Sequence, residues 1–360
     1  MRILFIKIYD TTFIRKDEEI LRRHFKLDSI RFRYPNRLLL PIKLIQLFLW
    51  LVLHGRKYDV IFYYFIDFHS LPITVFGKLF GVKTAVVIGG YDAVYIPELR
   101  YGVYNNPIRG AIARFALKHT DLLLPKDDSL IYKKETFTNK LTLIQGFKNF
   151  VGRVKGKVRV IYNGYSPPHL SEEDMRKKEN IFLSVGFAPT KKEFLIKGHD
   201  LFVETAGIMP EYRFVLVGVR KELVESLIED IPENLEITGP VSPKEVSQYM
   251  KRAKIYCQLS LTEGMPNALC EAMLYGCIPV GSSAGGIPNV IGDTGVIVEK
   301  KDARLVREAI LQAMKLEPRR SIKRIKDRYS ISQREKRLIR VINSLTSSKR
   351  RRKCLFWGEC

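Results

Sequence analysis

The stretch "LTEGMPNALCEAMLYGCIPV", residues 261–280, sets two carboxylates, Glu263 and Glu271, on either side of a proline, with a glycine shortly after. "PNALCEAMLY" has helical spacing; Pro266 suits the first helical position and Gly276 the C-terminal stop. Glu263 is then expected in the loop before a helix and Glu271 inside it, roughly 7 Å from the helix mouth at ~1.5 Å per residue. That is the scale of a diphosphate plus part of a sugar ring. Met265, at the expected N-cap, has no side-chain acceptor, which leaves the N–H groups of Asn267 and Ala268 for an external anion. Carboxylates repel phosphates, so the glutamates suit hydroxyls flanking such an anion, ribose on one side and hexose on the other. Spacing alone favours a plainer alternative, in which Glu263 is a solvated loop charge and Glu271 an ordinary surface helix residue.

Other chemistries find less support. "GSSAG", residues 281–285, fits a nucleophile elbow around Ser283, but such hydrolases need a later histidine and the last of the six is His199. The histidines show no HxH or HxxxH spacing and there is no Asp-x-Asp triplet, so no metal ligand set is visible. There is no Gly-x-Gly-x-x-Gly and no P-loop, which leaves dinucleotide oxidoreduction and ATP hydrolysis unsupported.

These residues need elements to hold them. A chain of 360 residues implies two domains, and its net charge of +23 will attract phosphates, nucleic acid or an anionic membrane surface. Five cysteines with no CxxC pair argue against a disulfide framework and for a reducing, cytoplasmic setting. Strand-like runs "RILFIKIY", "DVIFYYF", "KTAVVIGG" and "DLLLP" alternate with helical stretches near 15–26, 38–54, 70–80 and 106–119. A second series, "IFLSVG", "RFVLVG", "LEIT", "KIYCQL", "CIPVG" and "GVIV", follows the polar, hinge-like segment 167–180. The pattern predicts an α/β protein of two doubly wound parallel-sheet domains facing a cleft, with ligands at the carboxyl ends of the strands. The expected boundaries are 1–165, 166–328 and a C-terminal helix with a basic tail, 329–360, whose "KRRRK" reads most simply as solvated and disordered. "LLLPIKLIQLFLWLVL", residues 38–53, is membrane-like but broken by Pro41, Lys43 and Gln46, and shorter than the ~20 residues needed to span. It reads either as a core helix or as a helix lying at a membrane surface.

"EGMPNALCEAMLYGCIPVGSSAGGIPNVIGDTGVIV" resembles the signature of retaining glycosyltransferases of family 4, with its Glu-x7-Glu element, Gly-x-Pro-Val strand and Gly-Gly loop. "VIYNGYSP" is similar to the family's Asn-Gly segment, with Ser166 where an acidic residue is usual. "SVGFAPTKKEFLIKGHDLFVETAGIMPEYRFVLVG" resembles its donor-phosphate segment, Lys197-Gly198 matching the Lys-Gly pair. The resemblance implies the GT-B fold, with Rossmann-like domains, an acceptor half first and a sugar-nucleotide half second. It implies Glu271 on the ribose, Glu263 on the transferred sugar and Lys197 on the diphosphate, with Gly264, Asn267 and Ala268 also at the donor. Attack on the same face, with the departing phosphate as base, needs no protein nucleophile and no metal or other cofactor. Phe187 replaces the family's arginine, so Lys191 or Lys192 is expected to supply that charge. In "IGGYD" Asp92 matches the family's aspartate, a third catalytic candidate, while Gly89 stands in place of its histidine. The first loop, "YDTTFIRKD", lacks the family's glycines, leaving Thr11, Thr12 and Arg15 as suspects. The implied partners are a nucleotide sugar and a glycan or lipid-linked acceptor, with peripheral attachment to the inner face of a membrane. Two other readings are a sugar-nucleotide epimerase of the same fold and a nucleic-acid-binding protein; the latter explains the charge but not the glutamate pair.

Overall fold

The computed structural model describes residues 1–138 and 140–357, with the backbone alone described at Arg37 and over residues 346–357. The chain forms two compact units: residues 1–132 and 144–164 with the segment from 331 onward, and residues 133–143 with 165–330.

The first unit holds six parallel strands, β1 (Arg2–Lys7), β2 (Lys26–Arg31), β3 (Val60–Tyr64), β4 (Lys83–Ile88), β5 (Leu122–Pro125) and β6 (Lys157–Val158), in the order β2-β1-β3-β4-β5-β6. Every residue of β3, "VIFYY", is buried, as parallel strands covered on both faces require. Helices Thr12–His24, Leu40–His54, Ser70–Phe80 and Pro107–His119 fall where the sequence places them. The last has Pro107 in its first turn, and the Asn106 side chain accepts the Arg109 N–H at 2.9 Å.

The second unit repeats the plan with β7 (Glu179–Val185), β8 (Arg213–Val217), β9 (Leu235–Thr238), β10 (Ala253–Gln258), β11 (Ile278–Ser282) and β12 (Val296–Val298), all parallel in the order β9-β8-β7-β10-β11-β12. Segment 167–180 is not a bare hinge. It lies inside this unit and carries a short helix, Glu172–Arg176, closed by a capping box between Ser171 and Asp174.

The C-terminal region also departs from expectation. The helix Ile331–Trp357 belongs to the first unit, where Leu338, Ile342 and Leu345 join Ile14, Ile20 and Leu21 in the core. Arg334 is buried there, with Nε and Nη2 each 2.5 Å from an Asp17 carboxylate oxygen and Nη1 donating to the Ile161 carbonyl at 3.1 Å. The backbone of the basic run 349–353 continues that helix, and its side chains lie outside the described residues.

Candidate functional site

In the second sheet the strand order reverses at β7, which lies between β8 and β10. Open α/β sheets bind ligands outside the carboxyl ends of their strands at such a switch point. Glu263 leaves β10 there, and its carboxylate is oriented by side chains of the strand below it. The Tyr256 hydroxyl donates to Gln258 Oε1 at 3.2 Å, the Gln258 amide to Ser260 Oγ at 2.8 Å, and Ser260 Oγ to Glu263 Oε1 at 3.4 Å.

Lys197 reaches the same carboxylate, with Nζ 2.6 Å from Oε1. It ends the helix Lys191–Ile196, and Gly198 turns the chain at φ +69°. A Cβ at Gly198 would lie 2.0 Å from the Leu259 carbonyl oxygen, so the Lys-Gly pair is the form that lets this turn press against the exit of β10. The Leu261 N–H donates to the Ile196 carbonyl at 2.8 Å, fastening the two loops. Lys191 is exposed and Lys192 half-buried in the first turn of the same helix, while Phe187 is 65% exposed after β7.

A third loop holds Glu263 from behind. Gly285, at φ +54°, lies so close that a Cβ would be 2.1 Å from the Glu263 carbonyl oxygen, and the Gly286 N–H donates to that oxygen at 3.0 Å. Lys133 and Glu135 secure this glycine loop. Lys133 Nζ donates to the carbonyls of Ser283 at 2.6 Å and Gly285 at 2.8 Å, and Glu135 Oε1 accepts the Gly285 N–H at 3.0 Å. Burial pushes the Glu135 carboxyl above its usual range. Sequence reading missed both residues: they lie far away in the chain, in a segment that belongs to this unit and matches no motif. Ser283, the elbow serine, donates to the Glu299 carbonyl at 3.4 Å.

The helix Asn267–Leu274 begins one residue later than expected, with Pro266 rather than Met265 at the N-cap, and still without a side-chain cap. Asn267 Oδ1 accepts from the Tyr165 hydroxyl at 2.6 Å. Gly264 is buried, Ala268 half-buried, and Glu271 exposed on the helix. His199 is buried with its Nε2 3.2 Å from the Gly186 carbonyl oxygen, and burial pulls its pKa down to about 3. It is therefore a neutral imidazole that shapes the loop after β7.

Asp92 belongs to the first unit and is buried. Its carboxylate accepts N–H groups of Gly89 and Gly90 at 2.9 Å each and of Ile66 at 3.3 Å, and burial pushes its pKa up. These bonds order the loop after β4 around the carboxylate that the family resemblance offers as a third catalytic candidate. A Cβ at Gly89 would meet the Phe65 ring at 2.2 Å, so a larger residue there requires that ring to move.

Residues 180–315 match the model of the family described as Glycosyl transferases group 1. This part of the chain is a glycosyl transferases group 1 domain. Among curated proteins, the chain is 29% identical over 147 residues to a phosphatidylinositol N-acetylglucosaminyltransferase subunit of Arabidopsis thaliana, covering 37% of this chain and 33% of that one. It is 26% identical over 220 residues to N-acetyl-alpha-D-glucosaminyl L-malate synthase of Bacillus anthracis, 59% of this chain and 55% of that. A third relative, the N-acetylgalactosamine-N,N'-diacetylbacillosaminyl-diphospho-undecaprenol 4-alpha-N-acetylgalactosaminyltransferase of Campylobacter jejuni, is 24% identical over 236 residues, 63% of this chain and 60% of that. The matches thus span between 33% and 60% of these relatives' own lengths. Among solved structures, sucrose-phosphate synthase from Thermosynechococcus elongatus superposes with a TM-score of 0.74 at 14% identity, covering 97% of this chain and all of the other. Anabaena HepE in complex with UDP and glucose gives 0.69 at 13% identity, covering 96% of this chain and all of the other. The two Rossmann-like units are those of the GT-B fold.

Proposed function

We propose that the chain is a retaining glycosyltransferase that moves a sugar from a nucleotide-diphosphate donor to an anionic acceptor at a membrane surface, without a metal ion. The observation that carries the reading is the Lys197–Glu263 pair, 2.6 Å apart at the switch point of a group 1 domain, with the uncapped helix of Glu271 following in the chain. Glu271 takes the ribose hydroxyls and Glu263 a hydroxyl of the transferred sugar. Lys197 and the amides of the helix mouth meet the diphosphate as it gains charge on departure. The acceptor hydroxyl then attacks the face that the diphosphate leaves, handing its proton to the leaving phosphate, so configuration is kept. Lys191 and Lys192 are the remaining candidates for a second positive charge at the donor, and Gly264 lets the backbone approach it.

An anionic acceptor is supported by the three relatives, whose names carry phosphatidylinositol, L-malate and a diphospho-undecaprenol. A membrane surface is supported by the helix Leu40–His54. It buries Leu47 and Leu51 in the first unit's core but leaves Ile42, Ile45, Leu49 and Leu53 exposed, a stripe of spacing 3, 4 and 4 that includes Leu53 at 77%. Among the described residues no helix is long and apolar enough to cross a membrane. The test is incubation with sugar nucleotides and a prenyl-diphosphate-linked sugar in EDTA, with the anomeric coupling of the product read by NMR. Product of the donor's configuration, formed in EDTA, supports the reading. Inverted product, or activity that appears only after manganese or magnesium is restored, contradicts it.

A further inference from the structure

Lys126 follows the last residue of β5 and is only 3% exposed, yet among the described residues no hydrogen-bond acceptor or carboxylate pairs with its ammonium. Nζ sits 3.3 Å from the centroid of the Phe13 ring, with the Tyr64 and Phe65 rings at 5.6 and 5.7 Å. Such rings attract a cation but replace only part of the hydration that burial removes. The charged groups acting on it are Arg334, Asp17 and Asp92. Arg334 repels it. Asp17 is held by Arg334 and the Tyr64 hydroxyl, and Asp92 by three backbone amides. Burial first, and then Arg334, pull the lysine down to about 7. The positive charge is thus in excess over the carboxylates free to answer it.

The place is as specific as the charge. The segments following β1, β3, β4 and β5 supply Phe13, Phe65, Gly89 and Lys126, all at the carboxyl edge of the first sheet, where the strand order reverses at β1. Phe65 is held at φ +63°, a conformation that costs an aromatic residue energy and that collects at ligand clamps. Its ring meets those of Phe13 and the exposed Tyr9 edge-on, at 6.3 Å each.

We propose that Lys126 is the acceptor's anion-binding residue: its ammonium receives the phosphate or carboxylate group of the acceptor at the carboxyl edge of the first sheet. This rests on the reading that the acceptor is anionic. Contact with the anion supplies the missing counter-charge, so the bound acceptor holds Lys126 protonated at neutral pH, and a neutral sugar lacks that attraction.

The experiment is NMR of the full chain labelled with [13C,15N]lysine. The Lys126 signal is assigned by its loss in Lys126→Arg and, independently, by loss of its ring-current shift in Phe13→Leu. It is titrated with pH alone and with geranyl diphosphate, inorganic pyrophosphate or malate. The expected result is a midpoint near 7 without anion that rises by a unit or more with at least one of them, a tenfold or greater preference of the anion for the charged lysine. Response to geranyl diphosphate but not to pyrophosphate identifies a lipid-borne phosphate, and response to pyrophosphate or malate a soluble anion. If none of the three moves the Lys126 signal, the proposal is overturned. Movement of the Lys197 signal alone overturns it too, while leaving the donor reading intact. Conversely, a Lys126 response in a chain that binds no sugar nucleotide would sink the transferase reading and keep the anion site.

Discussion

Lys197 and Glu263 form an ion pair of 2.6 Å, and the proposed function assigns the lysine to the leaving diphosphate and the glutamate to a sugar hydroxyl. Lys197→Ala should lower turnover roughly 100-fold or more, the scale of losing one transition-state donor, with a smaller change in donor affinity. Glu271→Ala should instead weaken donor binding by about 1.5–3 kcal/mol, because ribose hydroxyls lose a charged acceptor. Calorimetric titration of both variants separates the two effects; unchanged donor affinity in the Glu271 variant would remove that residue from the site. Lys126 gives a pH prediction with a definite sign. Its folded pKa, about 7, lies below the ~10.4 of an unfolded lysine, so burial of the charge costs stability fully below pH 7 and progressively less up to pH 10. Lys126→Met should therefore gain more stability over the native chain at pH 6 than at pH 9, as urea unfolding would measure. At this scale Glu263 with Glu271, and Lys197 with Gly198, could be singled out because each pair is local in the chain, whereas the 2.6 Å contact between the two pairs joins residues 66 apart. Glu135, Lys133 and the solitary Lys126 could not, because only the folded chain brings their partners to them.

Elements decide how firmly those residues are held. The glycine loop at 285–286 lies against the Glu263 backbone, and Gly285 combines φ +54° with a 2.1 Å clash for any Cβ. Gly285→Ala should cost about 1–3 kcal/mol in stability and, by displacing Glu263, lower turnover more than donor affinity. Thermal unfolding and kinetics together check this; a variant of native activity would detach the loop from the site. The C-terminal helix is similarly tied, by buried Arg334 against Asp17. Asp17→Ala leaves that guanidinium without its carboxylate and should destabilise the first unit by about 3–5 kcal/mol. Continuous apolar runs made the central strands readable. The edge strand β2, "KLDSIR", was not read, because it buries only Leu27 and its two apolar residues, Leu27 and Ile30, neither form a run nor alternate with polar ones. The final helix was read as such, but its docking on the first unit rests on pairs more than 300 residues apart in the chain, Arg334 with Asp17 among them.

For the whole molecule, alternation of strands and helices was enough to foresee two doubly wound units, since that pattern has few other solutions. What alternation could not give is which surface stays uncovered. The helix Leu40–His54 turned out to be apolar on both its core face and its open face. With a net charge of +23, the chain should sediment with anionic liposomes at low salt and release as ionic strength screens the attraction, while Ile45→Glu with Leu49→Glu should abolish binding without unfolding the protein. Equal sedimentation with neutral and anionic vesicles would contradict an electrostatic contribution. The donor reading itself is tested most directly by thermal unfolding across a panel of sugar nucleotides, in the native chain and in Glu271→Ala, since a ligand that binds only the folded state stabilises it according to occupancy. Donor binding at this site predicts that one or a few nucleotide-diphosphate sugars raise the midpoint by several degrees and that the substitution removes most of the shift. No shift with any sugar nucleotide at millimolar concentration, or an equal shift in the variant, would contradict it.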